Sequence, residues 1–304
     1  MKHLLSIQDL TRSDVEELFA LAARLKAQQK RGEPHPLLQG RTLAMILEKP
    51  SLRTRVSFEA GMFQLGGYAI HLGQEGIQLG VREPASDVAR NLSRWVDGIV
   101  ARVFRHATLE ALAQRATVPV INGLSDHEHP CQALADIFTL AEHGLDPKKT
   151  RLVFIGDGNN VCHSLLLLAG LLDMTIVVCP PSGYEPDPSV FERARALGAT
   201  VGVIHEPAEA VRTADVVYTD VWTSMGQEAE REIRRQAFQG YQVNRGLLAH
   251  AKPGARVMHC LPAHRGEEIT DDVLDGPQSL AFEQAENRLH VQKAVLVHLL
   301  GRHV

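Results

Sequence analysis

Apolar and polar positions alternate in blocks along the chain. Short apolar runs of strand length recur at about 41–47, 68–72 (YAIHL), 98–104 (GIVARVF) and 117–121 (TVPVI), each followed by a stretch with helical spacing. A second series follows at about 151–156 (RLVFIG), 174–179 (MTIVVC), 199–204, 215–219 (DVVYT) and 255–260 (ARVMHC). Strands that alternate with helices predict parallel sheets covered on both faces. Between the series lies HPCQALADIFTLAEHGLD, a helix whose end is marked by Gly144 and Pro147. The pattern therefore predicts an α/β protein of two doubly wound parallel-sheet domains, residues 1–135 and 136–284, linked by interdomain helices. The last helix, about 283–300, has no strand left to serve, so residues 285–304 are expected to pack back on the first domain. A first helix runs to about Gln29 from a cap at Thr11 or Ser13, each with an acid three residues on (Asp14, Glu16). A second follows the strand Leu43–Leu47, carries Val56, Ala60 and Phe63 on one face, and stops at Gly66-Gly67. There is no tandem repeat and no low-complexity segment.

Composition narrows the class. The 304 residues are 44% apolar and 22% charged, as in soluble globular chains. A net charge of −4 leaves no basic excess to displace counterions, and 5% aromatics offer little base-stacking surface, so a nucleic-acid partner is not expected. Cys131, Cys162, Cys179 and Cys260 are far apart with no C-x-x-C pair, which reads as reduced thiols in a cytoplasmic protein, not a disulfide framework or zinc site. The N-terminal segment MKHLLSIQDLTRSDVEELF has no sustained apolar core. No uncharged apolar run approaches the ~18 residues that a membrane span needs, so no membrane partner is expected either.

One short stretch breaks an electrostatic habit. EKPSLRTRVSFE, residues 48–59, opens the second helix with Arg53 and Arg55 in its first turn and Lys49 just before. A helix N-terminus is the positive end of the macrodipole, where acids normally collect. Ser51 and Thr54 add hydroxyls, and the free N–H groups of the turn point outward. The set fits an anion with phosphate-like oxygens. The plainer reading is an N-cap serine beside solvated arginines.

KPSLRTRVSFE resembles the carbamoyl-phosphate signature S-T-R-T-R of the aspartate and ornithine carbamoyltransferases, with Leu52 where the pattern has Thr. IQLG with Gln78, ARVF with Arg102 and HPCQ with His129 and Gln132 resemble further segments of that family, in order. FIGDGNN, TDVWTSMGQE, HCLPAHRGEE and FEQAENR resemble its ornithine branch, and the likeness spans essentially the whole chain. It implies transfer of a carbamoyl group from carbamoyl phosphate to the δ-amine of L-ornithine, giving L-citrulline in arginine metabolism. It implies no metal or other cofactor, and a homotrimer or larger homo-oligomer. The first domain would bind carbamoyl phosphate and the second ornithine.

The resemblance also assigns residues. Ser51, the amide of Leu52, Arg53, Thr54, Gln78, Arg102, His129, Gln132 and Arg288 would contact carbamoyl phosphate. Within that set His129, Arg102 and Thr54 serve the carbonyl oxygen and Gln132 the carbamoyl nitrogen. Asn160, Asp220, Ser224 and the amide of Met225 would hold ornithine. Cys260 and Asp220 would position the attacking amine, with the carbonyls of Cys260 and Leu261 toward the carbamoyl NH2. Arg53, Arg102, His129, Asp220 and Cys260 are the catalytic set. No covalent intermediate on Cys260 is expected.

Each residue has a plainer alternative. Gln78 in a polar loop is ordinarily solvated, and Arg102 inside a β-rich run needs some partner, ligand or carboxylate. His129 precedes Pro130 at a helix start and fits a capping histidine; with His127 it lacks H-E-x-x-H spacing, so a metal reading is poor. Asp220 fits a helix cap, Met225 a core filler, Cys260 a small buried apolar residue, and Arg288, opening the final helix, a surface arginine. Gly156-x-Gly158 after a strand mimics a dinucleotide fingerprint, but Val161 stands where the third glycine belongs. The acid expected ~20 residues on is also missing, since the next strand ends Val178-Cys179-Pro180-Pro181. Aspartate, N-acetylornithine and putrescine remain alternative acceptors, and Leu52 is the feature that would suit a catalytically silent subunit.

Overall fold

The computed structural model describes residues 1–73, 77, 79–224 and 226–301. Clustering of contacts separates two units: Met1–Ala135 together with the chain from Asn287 onward, and Asp136–Glu286. Among the described residues the strands form two sheets, one of four and one of five, every ladder parallel. This is the doubly wound α/β class expected from the alternation of strands and helices.

In the first unit, Thr11 caps α1 (Arg12–Lys30) in a reciprocal capping box with Asp14. The sheet follows from β1 (Thr42–Leu47), β2 (Tyr68–Gly73), β3 (Gly98–Arg102) and β4 (Val120–Leu124), in the order β2-β1-β3-β4. Helices α2 (Leu52–Gln64), α3 (Ala85–Leu92), α4 (His106–Arg115) and α5 (Pro130–Glu142) alternate with them. Apart from Thr42 and Arg102 at their ends, the two central strands are apolar because both faces are covered: β3 is buried at every position. A core of Ile46, Ile99, Val103, Leu109, Leu112 and Val120 fills one side of the sheet.

In the second unit the order is β7-β6-β5-β8-β9, from β5 (Arg151–Ile155), β6 (Thr175–Cys179), β7 (Thr200–Val203), β8 (Val216–Thr219) and β9 (Arg256–His259). Its helices are α6 (Asn160–Leu171), α7 (Pro188–Leu197), α8 (Pro207–Ala210), α9 (Arg231–Ala237), α10 (Arg245–Leu248) and α11 (Asp271–Leu274). The final helix, α12 (Ala281–Leu300), spans the boundary between the units. Apolar α6 is buried from Val161 to Gly170. Gly170 is needed there, since a Cβ would stand 2.8 Å from the Ala194 carbonyl oxygen of α7.

Three expectations need correction. Val56 and Phe63 are 51% and 81% exposed; α2 instead buries Thr54, Phe58, Gly61 and Met62. Gly61 lets α12 approach, a Cβ there meeting Lys293 Cγ at 3.2 Å. Strand β4 begins at Val120, three residues later than the TVPVI run, and continues through polar Asn122. Arg288 does not open the last helix, which starts at Ala281.

Lys293 lies fully buried in the first unit. It donates to Gln29 Oε1 (2.7 Å), Gln64 Oε1 (2.9 Å) and His35 Nε2 (3.2 Å). The His35 Nδ1–H goes to the Glu33 carbonyl at 2.9 Å, which leaves Nε2 as the acceptor. Burial pushes the Lys293 ammonium down to about 8. An unfolded chain titrates near ~10.4, so between those values it binds more protons than the folded one, and stability rises with pH. The difference in unfolding temperature, wild type minus Lys293→Met, should therefore move in favour of wild type from pH 7.5 to 10. A flat or falling difference in thermal scans would contradict this.

Candidate active site

Doubly wound sheets bind ligands beyond the carboxyl ends of the strands, where the winding reverses. The reversals fall between β1 and β3 in the first unit and between β5 and β8 in the second. The segments leaving those strands are EKPSLRTR, Arg102, GDGNN and Asp220.

In the first unit, Ser51 caps α2, its Oγ accepting the Thr54 N–H at 3.2 Å. Its own O–H is left to donate outward. The three cations of the segment part company. Lys49 is buried, with Nζ 4.6 Å from the Phe104 ring centroid. Arg55 makes a partly exposed i,i+4 pair with Glu59 at 3.1 Å, so its guanidinium is given to a carboxylate of its own helix. Leu52 is 74% exposed.

Arg102 ends β3 beside a register shift in β4, which pairs Ala101 with Asn122 and Arg102 with Leu124. A bulge of this kind re-aims a side chain at a strand end. The unpaired residue is Gly123, where a Cβ would crowd the Ala101 carbonyl at 3.3 Å. His129 precedes α5 on a loop locked from below. Buried Glu128 accepts from the Ile7 N–H (3.1 Å) and the Ser6 hydroxyl, while its carbonyl takes the Asn122 amide at 3.3 Å. From α12, buried Arg288 donates to Gln132 Oε1 at 2.6 Å and to Thr54 Oγ1 at 3.4 Å. With its amide oxygen turned inward, Gln292 accepts from the same guanidinium at 2.8 and 3.2 Å. Burial first, then the charges of Arg288, Arg102 and Arg53, hold the His129 imidazole well below its usual pKa. His129 is neutral at pH 7. Thr54 and Gln132 are thus bonded to Arg288, and Arg53, Arg102 and Arg288 lie near enough to act on His129, in one positively charged cluster drawn from α2, β3, the start of α5 and α12.

In the second unit Asp220 follows β8. Its Oδ2 accepts from Asn159 Nδ2 at 2.8 Å, and its Oδ1 from the Val221 N–H (2.8 Å) and the Cys260 thiol (3.0 Å). Asn159 also caps α6, its Oδ1 taking the N–H groups of Val161 and Cys162 at 3.0 and 3.1 Å. Asn160 is the first residue of α6, next to this pair. Ser224 and Gln227 close a turn, with Gln227 N–H on the Ser224 carbonyl at 3.0 Å and Ser224 N–H on Gln227 Oε1 at 3.0 Å. Gln78 and Met225 lie outside the described residues.

Leu261 is a non-glycine residue at φ +58°. Its N–H donates to His259 Nδ1 at 2.9 Å, and His259 Nε2–H goes to Glu268 at 3.0 Å. Asp220, His259 and Cys260 have ligand-type atoms within 4.8 Å of one another, as do His264, Glu267 and Glu268. In the first group both His259 nitrogens and the thiol are committed to protein partners, so it is a hydrogen-bonded cluster. Gly158 is explained without a dinucleotide: its N–H reaches the Tyr184 carbonyl at 2.8 Å, and a Cβ would meet Pro186 N at 2.2 Å. Asn159, His259 and Gln292 carry geometry that residue-by-residue reading missed. From sequence Asn159 reads only as shaping the turn beside Asn160; an asparagine before an apolar helix is the N-cap signal that points to its place.

A positively charged side-chain cluster at the strand ends of one α/β unit and a carboxylate–thiol–amide cluster in the other suit a two-substrate group-transfer protein. Residues 2–142 match the family model described as aspartate/ornithine carbamoyltransferase, carbamoyl-P binding domain, and residues 148–299 the Asp/Orn binding domain. The chain belongs to the aspartate/ornithine carbamoyltransferase family. It is 53% identical to an ornithine carbamoyltransferase of Thermococcus kodakarensis, over 99% of this chain and 96% of the relative. It is also 53% identical to an anabolic ornithine carbamoyltransferase of Pyrococcus furiosus, with the same coverage. The solved structure of an ornithine carbamoyltransferase from P. furiosus superposes with a TM-score of 0.95, covering 98% of this chain and 97% of that one.

Asn159→Asp keeps the cap oxygen but sets a second carboxylate against Asp220. Two such groups cannot both ionise cheaply, so the folded pair holds a proton that the unfolded chain releases above ~4. Stability must then fall as pH rises. The variant's unfolding temperature, relative to wild type, is expected to drop between pH 5 and pH 8; a constant offset would show that Asn159 and Asp220 are not coupled.

Proposed function

We propose that this chain transfers the carbamoyl group of carbamoyl phosphate to the δ-amine of L-ornithine, releasing L-citrulline and phosphate, in the biosynthetic direction of arginine metabolism. The observation that carries the donor side is the gathering of Arg53, Arg102 and Arg288 around a neutral His129 at the open N-terminus of α2. Residues 1–135, with the helix returning at 285–304, form the donor domain, and residues 136–284 the acceptor domain.

The roles follow from charge and protonation. Ser51, the Leu52 amide, Arg53 and Thr54 take phosphate oxygens, where a guanidinium fork outperforms an ammonium point charge. Gln78 is assigned to the same donor set. His129, Arg102 and Thr54 serve the carbonyl oxygen, on which negative charge grows as the tetrahedral intermediate forms. A neutral imidazole donates one N–H without adding a fourth cation to the pocket. Gln132 Oε1 accepts from Arg288, which orients the amide that is assigned to the carbamoyl NH2.

On the acceptor side Asp220 takes the α-ammonium group, Ser224 and the Met225 amide the carboxylate, and Asn160 a further polar contact. The Cys260 thiol, given to Asp220, restrains that carboxylate and lies beside the path of the δ-amine. The carbonyls of Cys260 and Leu261 are assigned to the carbamoyl nitrogen. The attacking amine must be neutral. If it titrates like lysine near ~10.4, losing its proton at pH ~7.5 costs about 4 kcal/mol, which desolvation in the site or transfer to the leaving phosphate must supply.

A homotrimer or larger assembly belongs to the same reading. Leu52, Val56 and Phe63 line one face of α2 at 74%, 51% and 81% exposure, and Tyr68 of edge strand β2 is 69% exposed. Exposed apolar side chains gathered on one helix face suit an interface. The occupant proposed is a second copy of this chain.

Two measurements test the proposal. Carbamoyl phosphate is offered with L-ornithine, L-aspartate, N-acetyl-L-ornithine and putrescine in parallel, and citrulline from ornithine alone is expected. Turnover of another amine would overturn the acceptor assignment, because acceptor choice rests on few contacts. Light scattering of Phe63→Glu should give a smaller particle than wild type; an unchanged mass would remove α2 from the interface.

A further inference from the structure

Arg234 is 7% exposed, although it lies in a helix whose neighbours Arg231, Glu232 and Arg235 are solvated. Burying a guanidinium is costly unless its donors are used, and here they are. Nη1 donates to Asp157 Oδ2 at 2.9 Å and to the Trp222 carbonyl at 3.1 Å, and Nε donates to Glu230 at 2.9 Å. The Tyr184 ring centroid lies 5.0 Å from the guanidinium carbon. Phe238, on the next turn of chain, contacts both Tyr184 (4.8 Å, edge-on) and Trp222 (5.7 Å, stacked).

These contacts join two segments that carry acceptor residues. Asp157 belongs to the GDGNN turn, two residues before Asn159, whose amide holds Asp220. Trp222 stands two residues after Asp220 and two before Ser224. One side chain therefore ties the turn to the 220–224 segment from behind. Asp157 depends on it. Burial raises the Asp157 carboxyl pKa, with Asp220 and Glu230 adding to the rise, and Arg234 is the charge that opposes them.

We propose that Arg234 is a positioning residue for acceptor binding: it touches no substrate, and it sets the spacing between the Asp157–Asn160 turn and the Asp220–Ser224 segment. This rests on the acceptor assignment above. Loss of a charged hydrogen bond of this type corresponds to about ten- to a hundredfold in an equilibrium constant. That loss is expected in KM for the amino-acid acceptor, and not in KM for carbamoyl phosphate, whose ligands lie in the other unit.

The test compares Arg234→Met, Arg234→Lys and Asp157→Asn by steady-state kinetics in the full-length enzyme. Arg234→Met should raise KM for L-ornithine at least about tenfold, with KM for carbamoyl phosphate within about threefold. Arg234→Lys should recover part of the loss, since it keeps a cation beside Asp157 but lacks the planar fork. Asp157→Asn combined with Arg234→Met should be no worse than Arg234→Met alone, because both break the same contact. A fall in unfolding temperature with KM for ornithine unchanged, or an equal rise in both KM values, would overturn the proposal. If Arg234→Met fails to fold, Arg234→Lys and Asp157→Asn decide alone by the same ratio. Wild-type turnover is measured first: a different preferred amine would refute the acceptor assignment, and the KM ratio for that amine would still judge Arg234.

Discussion

The structure depends on one constraint, that every strand in each sheet runs the same way. Parallel ladders send all strands out at one edge, so the residues that follow them are delivered to neighbouring places however far apart they lie in sequence. In the second unit Ile155 pairs with Thr219, and Thr219 with His259. The next residue of each strand is then Gly156, Asp220 or Cys260, side by side at the sheet edge. The thiol–carboxylate contact between Cys260 and Asp220 is a direct consequence of that register. In the first unit Leu47 pairs with Arg102, which places the EKPSLRTR segment beside the Arg102 side chain in the same manner. Neither cluster needs a long loop to assemble it.

The first unit spends electrostatic energy to make its pocket. Three guanidinium groups near one imidazole, at the positive end of a helix, repel one another and the helix dipole. Such an arrangement persists because surrounding structure over-determines it. Arg288 is fixed by Gln132, Thr54 and Gln292, and the His129 loop by Glu128 and Asn122. The cluster is therefore charged without a ligand, and a dianion bound there, as proposed, would remove repulsion as well as gain contacts. Holding His129 neutral is part of the same balance, since a fourth positive charge is the cheapest one to give up.

How far the sequence was legible follows the same division between register and side-chain detail. Strand runs such as RLVFIG and GIVARVF were readable because burial on both faces leaves unbroken apolar stretches. The TVPVI run misled by three residues, because β4 carries the buried polar Asn122 and the bulge at Gly123, which apolar periodicity does not register. The site segments were found as motifs at strand ends. Their internal bonding was not. Arg234 reads as one charge in a solvated run, and Asn159 as one of two adjacent asparagines, since nothing local distinguishes a partner sixty or more residues away. Arg55 failed in the opposite direction: its place in the motif matched Arg53, but two residues along a helix are a turn of about 200°, which carried it to Glu59.

The same rotation resolves the oddity of Leu52. A threonine-to-leucine change in an anion-binding turn would ordinarily remove a hydroxyl from the ligand and set a bulky apolar group in its place. Here the Leu52 side chain is 74% exposed and falls on the stripe of Val56 and Phe63, spaced four and seven residues apart. The Thr54 side chain, two residues on, is buried against Arg288 instead. The role proposed for position 52 uses only its backbone N–H, which leucine supplies as well as threonine does. The side chain extends the exposed apolar face of α2, so the departure from threonine changes that face and leaves the proposed backbone contact intact.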